Sequence, residues 1–148
     1  MSPTPCNICV HGYWRGTRLE QHASFATAIN CMDGRVQLPV NEWMRCRYGV
    51  AYVDTVTEPG PIKILAEQEP DSAVESIKHR TDISVHKHGS SVVAIVAHYD
   101  CAGNQVDKDT QMGQLDLSIA QVKAWGYDVP IIGLWVDDQW ATCLVRDE

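Results

Sequence analysis

Ser24-Phe25-Ala26-Thr27-Ala28-Ile29-Asn30 runs directly into Cys31-Met32-Asp33-Gly34-Arg35. The first stretch predicts a strand. The second places a soft metal ligand, an acid and a base at alternate positions of the loop that follows. The same setting recurs downstream: Ser91-Val92-Val93-Ala94-Ile95-Val96-Ala97 is rich in β-branched residues, and His98-Tyr99-Asp100-Cys101 follows at its end. In an open parallel sheet the ligand crevice lies at the carboxyl ends of neighbouring strands. Two such strands ending side by side bring Cys31, His98 and Cys101 together. Two thiolates and one imidazole form a three-ligand zinc set whose fourth position is open to water or substrate.

The segments around these two stretches alternate between strand and helix signals. After the first motif, Pro39 suits the first turn of a helix and Gly49 its end, with Val36, Val40, Trp43 and Met44 on the core face and Cys46 as a buried thiol. Val50 to Val56 reads as a second strand, broken by Thr57-Glu58-Pro59-Gly60-Pro61 at the crevice end, where this loop can wall a pocket. A short helix follows from Ile62 to Gln68. Ser72 and Glu75 have capping-box spacing for another, running towards Gly89. His79, His86 and His88 lie there among Lys78, Arg80 and Lys87, which reads as a solvated face without acidic companions. Beyond Cys101, the small residues Ala102-Gly103-Asn104 allow close backbone approach, so Gly103, Asn104 and Thr57 are the candidate pocket residues. Lys108 to Trp125 is the strongest helix, with Met112, Leu115, Ile119 and Val122 on one face. Val129 to Trp135 is a fourth strand. After Asp137-Asp138, Trp140 to Val145 returns as an antiparallel edge strand. This alternation predicts a three-layer α/β/α domain with a mostly parallel central sheet of about four strands plus the edge strand.

The chain has 148 residues, within the range of one domain spanning 1–148. Hydrophobic residues make up 45% of it, enough for a core. A formal charge of −7 argues against a nucleic-acid partner. No apolar run approaches the roughly 20 residues needed to cross a bilayer, so no membrane role is expected. Met1 to Pro5 lacks a basic and an apolar signal region, and six cysteines then read as metal ligands or free thiols in a cytoplasmic protein. Residues 1–23 form an N-terminal arm. In it Cys6-Asn7-Ile8-Cys9, with His11 beyond, could be half of a second zinc site, a redox pair or simply buried thiols; no second pair matches it elsewhere in the sequence. Tyr13-Trp14-Arg15 looks like an apolar anchor.

The order Cys31/Asp33/Arg35, then His98/Cys101, resembles the β-class carbonic anhydrases, which carry a Cys-x-Asp-x-Arg motif after one strand and a His-x-x-Cys motif after a later one. The resemblance spans roughly residues 24–136 and marks a compact, divergent member. The Arg-Asn-x-x-Asn-like segment usual after the first motif is replaced here by Val53 to Pro61. The resemblance implies one Zn2+ per chain on Cys31, His98 and Cys101, and reversible hydration of CO2 to bicarbonate by a zinc-bound hydroxide. Asp33 and Arg35 are the implied catalytic pair. Asp33 would orient the hydroxide, and Arg35 would hold the carboxylate off the metal. It also implies a homodimer or higher homo-oligomer, since the family builds its sites at a subunit interface; five tryptophans suit a buried contact of that kind. Two other readings stay open. One is hydrolysis of COS or CS2 by the same zinc chemistry. The other is a non-catalytic zinc-stabilised binding or redox module in which Asp33 closes the site.

Overall fold

The computed structural model describes residues 24–147. Five strands form one sheet: β1 (Phe25–Cys31), β2 (Tyr52–Glu58), β3 (Val93–His98), β4 (Ile131–Val136) and β5 (Thr142–Arg146). Their order is β2-β1-β3-β4-β5. The first four run parallel and β5 pairs antiparallel with β4 at the edge. The predicted mostly parallel sheet with an antiparallel edge strand is therefore present. The chain steps from β1 outward to β2, then crosses to β3 on the other side of β1. That reversal puts the crevice of an open α/β sheet between the carboxyl ends of β1 and β3.

Both faces of the central strands are covered, which is why β3 and β4 are buried along their whole length and read as continuous apolar runs. Helix α1 (Gln37–Tyr48) covers one face. There Val36, Val40 and Met44 pack against Ala26, Ala28, Ala94, Val96 and Leu134, with Trp43 partly buried beside them. On the other face lie α2 (Pro61–Glu67), α3 (Asp71–Asp82) and α4 (Lys108–Ala124). Leu65, Ile77, Leu115, Ile119 and Val122 meet Ile29, Val93, Ile95 and Ile131 across that layer. The three layers are those the alternation predicts. Gly49 ends α1 as expected: at φ 63° it takes the left-handed conformation, and its N–H donates to the Arg45 carbonyl. No helix among the described residues is long and apolar enough to cross a membrane.

Three local readings are corrected. The Ser72/Glu75 capping box does not form. Extended Pro70 precedes α3, and its carbonyl accepts the N–H groups of Ala73 and Val74, so Ser72 already lies inside the first turn. Cys46 is disulfide-bonded rather than a thiol, and only partly buried. His88 is exposed but has an acidic companion: its Nδ1 pairs with Asp54 Oδ2 at 2.6 Å, and its ring stacks on Phe25. That companion arises because α3 ends in a π-helical turn, Ile83–Lys87, which lays Ser84 against the sheet. Ser84 Oγ donates to the same Asp54 oxygen at 2.7 Å, and Thr27 Oγ1 on β1 contacts Ser84 Oγ at 2.6 Å and Ser90 Oγ at 2.7 Å. The Cys6–Cys9 pair, His11 and the Tyr13–Arg15 anchor lie outside the described residues.

Thr27, Ser84 and Ser90 are buried. Thr27→Val keeps the side-chain shape but leaves two buried hydroxyls one partner short. This should lower unfolding free energy by about 1–3 kcal/mol. Urea titration checks it: the midpoint should fall with an unchanged slope.

Candidate metal centre

Cys31 is the last residue of β1 and His98 the last of β3, one position deeper into the sheet than the sequence signals suggest. The β1–β3 pairing ends at Ile29 and Ile95, so both side chains sit just past the ladder at the switch point. Strand neighbours fix them. The Met32 N–H donates to the Glu58 carbonyl, and the Tyr99 N–H to the Val136 carbonyl. Cys101 follows in the turn after β3. One ligand atom each from Cys31, His98 and Cys101 lies within 4.8 Å of the others, and all three residues are buried. The two sulfurs are 3.9 Å apart.

The imidazole is set up as a ligand. His98 Nδ1 lies 2.7 Å from the Tyr99 carbonyl. A carbonyl can only accept, so Nδ1 carries the hydrogen and the neutral ring presents a lone pair at Nε2. That buried Nε2 has no hydrogen-bond partner. An orphaned buried nitrogen is costly, and a soft divalent cation between it and two thiols resolves it; metal-binding histidines usually donate their other nitrogen in this way. The thiols agree. The hydrogen bond from Cys101 above all, with smaller help from the neighbouring His98 ring, outweighs burial and brings Cys31 down to about 4. Sharing that proton with Cys31, together with burial, pushes Cys101 up. One thiol of the pair ionises readily and the second reluctantly, and a cation is what lets both be thiolates.

Asp33 and Arg35 form a closed pair beside this cluster. Asp33 Oδ1 accepts from the Arg35 backbone N–H at 2.9 Å and from Nε at 3.1 Å; Oδ2 accepts from Nη2 at 2.7 Å. The Arg35 side chain, above all by its hydrogen bonds, outweighs burial and holds the Asp33 carboxyl at about 2. The converging ligand group does not include the Asp33 carboxylate.

Of the three pocket residues, Gly103 borders an opening of about 610 Å³ with Pro59, Lys63 and Ile64. A Cβ on Gly103 would stand 2.7 Å from the Pro59 carbonyl carbon, and one on Gly60 would stand 3.0 Å from Asn104 Cβ. The Thr57–Pro61 and Ala102–Asn104 loops therefore press on each other. Asn104 is buried, and its Nδ2 donates to Gln114 Oε1 at 2.6 Å. The Thr57 carbonyl accepts from Arg80 Nη1. Next to the cluster is a second opening, a cleft of about 860 Å³ beside Arg35, Cys101, Gln111 and Trp135.

Four supporting residues escape the sequence reading. Gln111 is buried on α4 and grips the His98 backbone, with Oε1 accepting its N–H at 3.3 Å and Nε2 donating to its carbonyl at 2.8 Å. Gln37 Nε2 donates to the Cys31 carbonyl at 2.6 Å and to the Asp33 carbonyl at 3.0 Å. Asn30 Oδ1 accepts the Cys31 N–H at 2.9 Å, while its Nδ2 donates to the Val36 carbonyl. Asp100 bonds Arg35. Only Gln111 had a usable signal: it shares the apolar stripe of Leu115, Ser118 and Val122, where a large polar side chain needs a reason.

Comparison with known proteins gives a family and a fold neighbour. The family model described as "putative carbonic anhydrase" matches residues 21–146. No curated protein matches the chain. Among solved structures, a similar one comes from work on two tetrameric β-carbonic anhydrases of the filamentous ascomycete Sordaria macrospora. It has 10% sequence identity over 83% of this chain and 81% of that one, with a TM-score of 0.49.

Because Gln111 holds the backbone of a ligand, Gln111→Ala should weaken zinc binding by about tenfold, the lower end of what loss of an outer-shell partner costs. Competition with a chromogenic chelator measures this directly.

Proposed function

The chain belongs to the putative carbonic anhydrase family, and on that premise we propose that it is a zinc-dependent enzyme for the reversible hydration of CO2 to bicarbonate. The observation that supports this best is the buried His98 Nε2, unpartnered and within 4.8 Å of two thiol sulfurs. Cys31, His98 and Cys101 would hold the metal, and a soft S₂N donor set suits zinc. Held by these three residues, zinc would lower the pKa of a bound water and so supply a nucleophile near neutral pH.

The remaining work falls to this chain's own groups. An ionised carboxylate offers about four lone-pair sites. Arg35 engages those on Asp33 with three donors: its backbone N, Nε shared between the two oxygens, and Nη2. With three donors on about four sites, the carboxylate would still take a single hydrogen bond from the attacking water and orient it towards the CO2 carbon. The guanidinium keeps Asp33 ionised and committed, so the carboxylate does not compete for the metal. Gln37 and Gln111 fix the two ligand-bearing strand ends. The cleft beside Arg35 and Cys101 gives CO2 and bicarbonate a route to solvent.

A homodimer or higher homo-oligomer belongs to the same proposal. Met32, Leu38 and Tyr99, in or next to the loops that carry the site, are at least half exposed. Large apolar side chains around a site entrance suit burial against a second copy. Light scattering should return at least twice the 16.5 kDa chain mass.

Stopped-flow CO2 hydration with a parallel zinc count tests the function. Wild type should carry one zinc per chain and turn over CO2; COS and CS2 run in the same assay identify a different preferred substrate. Cys101→Ser and His98→Ala should lose nearly all zinc and activity together. Arg35→Ala should keep its zinc and lose activity, by about tenfold or more if the orientation of Asp33 contributes as general acid–base groups commonly do. Zinc-loaded wild type that leaves CO2, COS and CS2 untouched would show a structural metal instead.

A further inference from the structure

Arg35 is held by more than Asp33. Nη1 donates to Asp100 Oδ2 at 3.2 Å and Nη2 to the Asp100 carbonyl at 3.1 Å. The Trp140 indole lies against the guanidinium, with Cζ 4.3 Å from the ring centroid. Tyr99 meets Trp140 edge-on at 6.4 Å. Among the described residues, three non-glycine residues have positive φ, and two of them are Asp100 at 56° and Trp140 at 58°. For a bulky aromatic that conformation is strained. Such strain persists only where the surroundings over-determine it, and it gathers at functional sites. Asp137 supplies the constraint at Trp140. Its Oδ1 accepts the N–H groups of Gln139 and Ala141 at 2.9 and 3.0 Å, and its carbonyl accepts the Trp140 N–H at 3.0 Å.

The Asp33–Arg35 pair is local, two residues apart on one loop, so by itself it could swing as a unit without breaking a bond. Asp100 ties the pair to the end of β3, and Trp140 ties it to the β4–β5 turn. We propose that Asp100 and Trp140 are positioning residues: they lock the Arg35 guanidinium and, through it, hold the Asp33 carboxylate off the fourth metal position. This rests on the zinc reading above. Either tie, once lost, gives Asp33 access to the metal for part of the time. CO2 does not compete for that position, so kcat falls with the open fraction and KM stays constant. Thiocyanate does compete for it, so its apparent dissociation constant rises by the same factor.

The test is a double-mutant cycle on Arg35. Asp100→Asn leaves the backbone at ease, because asparagine tolerates the left-handed conformation. Trp140→Phe keeps a ring face and Trp140→Ala removes it. Each variant is made in wild type and in Arg35→Ala. Metal content, kcat and KM for CO2 hydration are measured, along with thiocyanate affinity of the cobalt-substituted protein by visible absorption. Asp100→Asn and Trp140→Ala should each lower kcat and thiocyanate affinity by roughly three- to fivefold, the scale of an exposed ion pair or cation–π contact. Trp140→Phe should recover most of the loss, and in Arg35→Ala none of the three should change either quantity further. Equal losses in both backgrounds, or no loss in wild type, would overturn the proposal. If wild type holds cobalt but is inactive on CO2, the thiocyanate pattern still decides the positioning role while the substrate reading falls. A wild type that binds neither zinc nor cobalt overturns both.

Discussion

The parallel pairing of β1 with β3 is the constraint on which the rest of the site depends. These strands are adjacent in the sheet although β2 lies between them in the chain. Only that topology puts Cys31 and His98, 67 positions apart in sequence, at the same end of neighbouring strands. Both strands pack against helices on both faces, so a slip in register would exchange the side chains of two differently packed layers and spoil the fit of each. The packing that fixes the register therefore also fixes the distance between the two ligands. A site on flexible loops would have to order itself when metal arrived; here the sheet does most of that ordering beforehand.

The sequence showed this much because its signals were long-range in consequence but local in form. Strand-like stretches ending at Cys31 and at His98 identify strands and their carboxyl ends without any knowledge of the intervening chain. Matching motifs at two such ends then predict convergence. Side-chain partners across space were not legible. Nothing near Asp54 in sequence points to His88, and the capping spacing of Ser72 and Glu75 was outcompeted by the Pro70 carbonyl. Gly103 and Asn104 signal close backbone approach. Small and amide residues in a loop signal close approach without saying to what, and here the closest approach is to Pro59 and Gln114.

The polar groups around the ligands follow a charge logic. Every side chain that grips a ligand's backbone is a neutral amide: Asn30 and Gln37 at Cys31, and Gln111 at His98. An amide can donate and accept at once, which satisfies peptide groups left without ladder partners at strand ends. It also adds no net charge beside two sulfurs whose ionisation would govern metal binding. A lysine at position 111 would attract the thiolates and compete with the cation; a glutamate would repel them. Charge enters one layer out as a paired run, Asp33, Arg35 and Asp100. That run is partly exposed, where solvent screening keeps its cost low.

The same division explains why one arginine serves two carboxylates. A guanidinium presents five donors in a planar fork, so it can engage Asp33 on one edge and Asp100 on the next while a face remains for Trp140. Lysine at position 35 could supply the charge but neither the second edge nor the face. It would leave Asp33 paired yet free to swing. On this geometry the requirement at position 35 is rigidity as much as charge, and Arg35→Lys should behave like the loss of Asp100 and Trp140 together rather than like a conservative change.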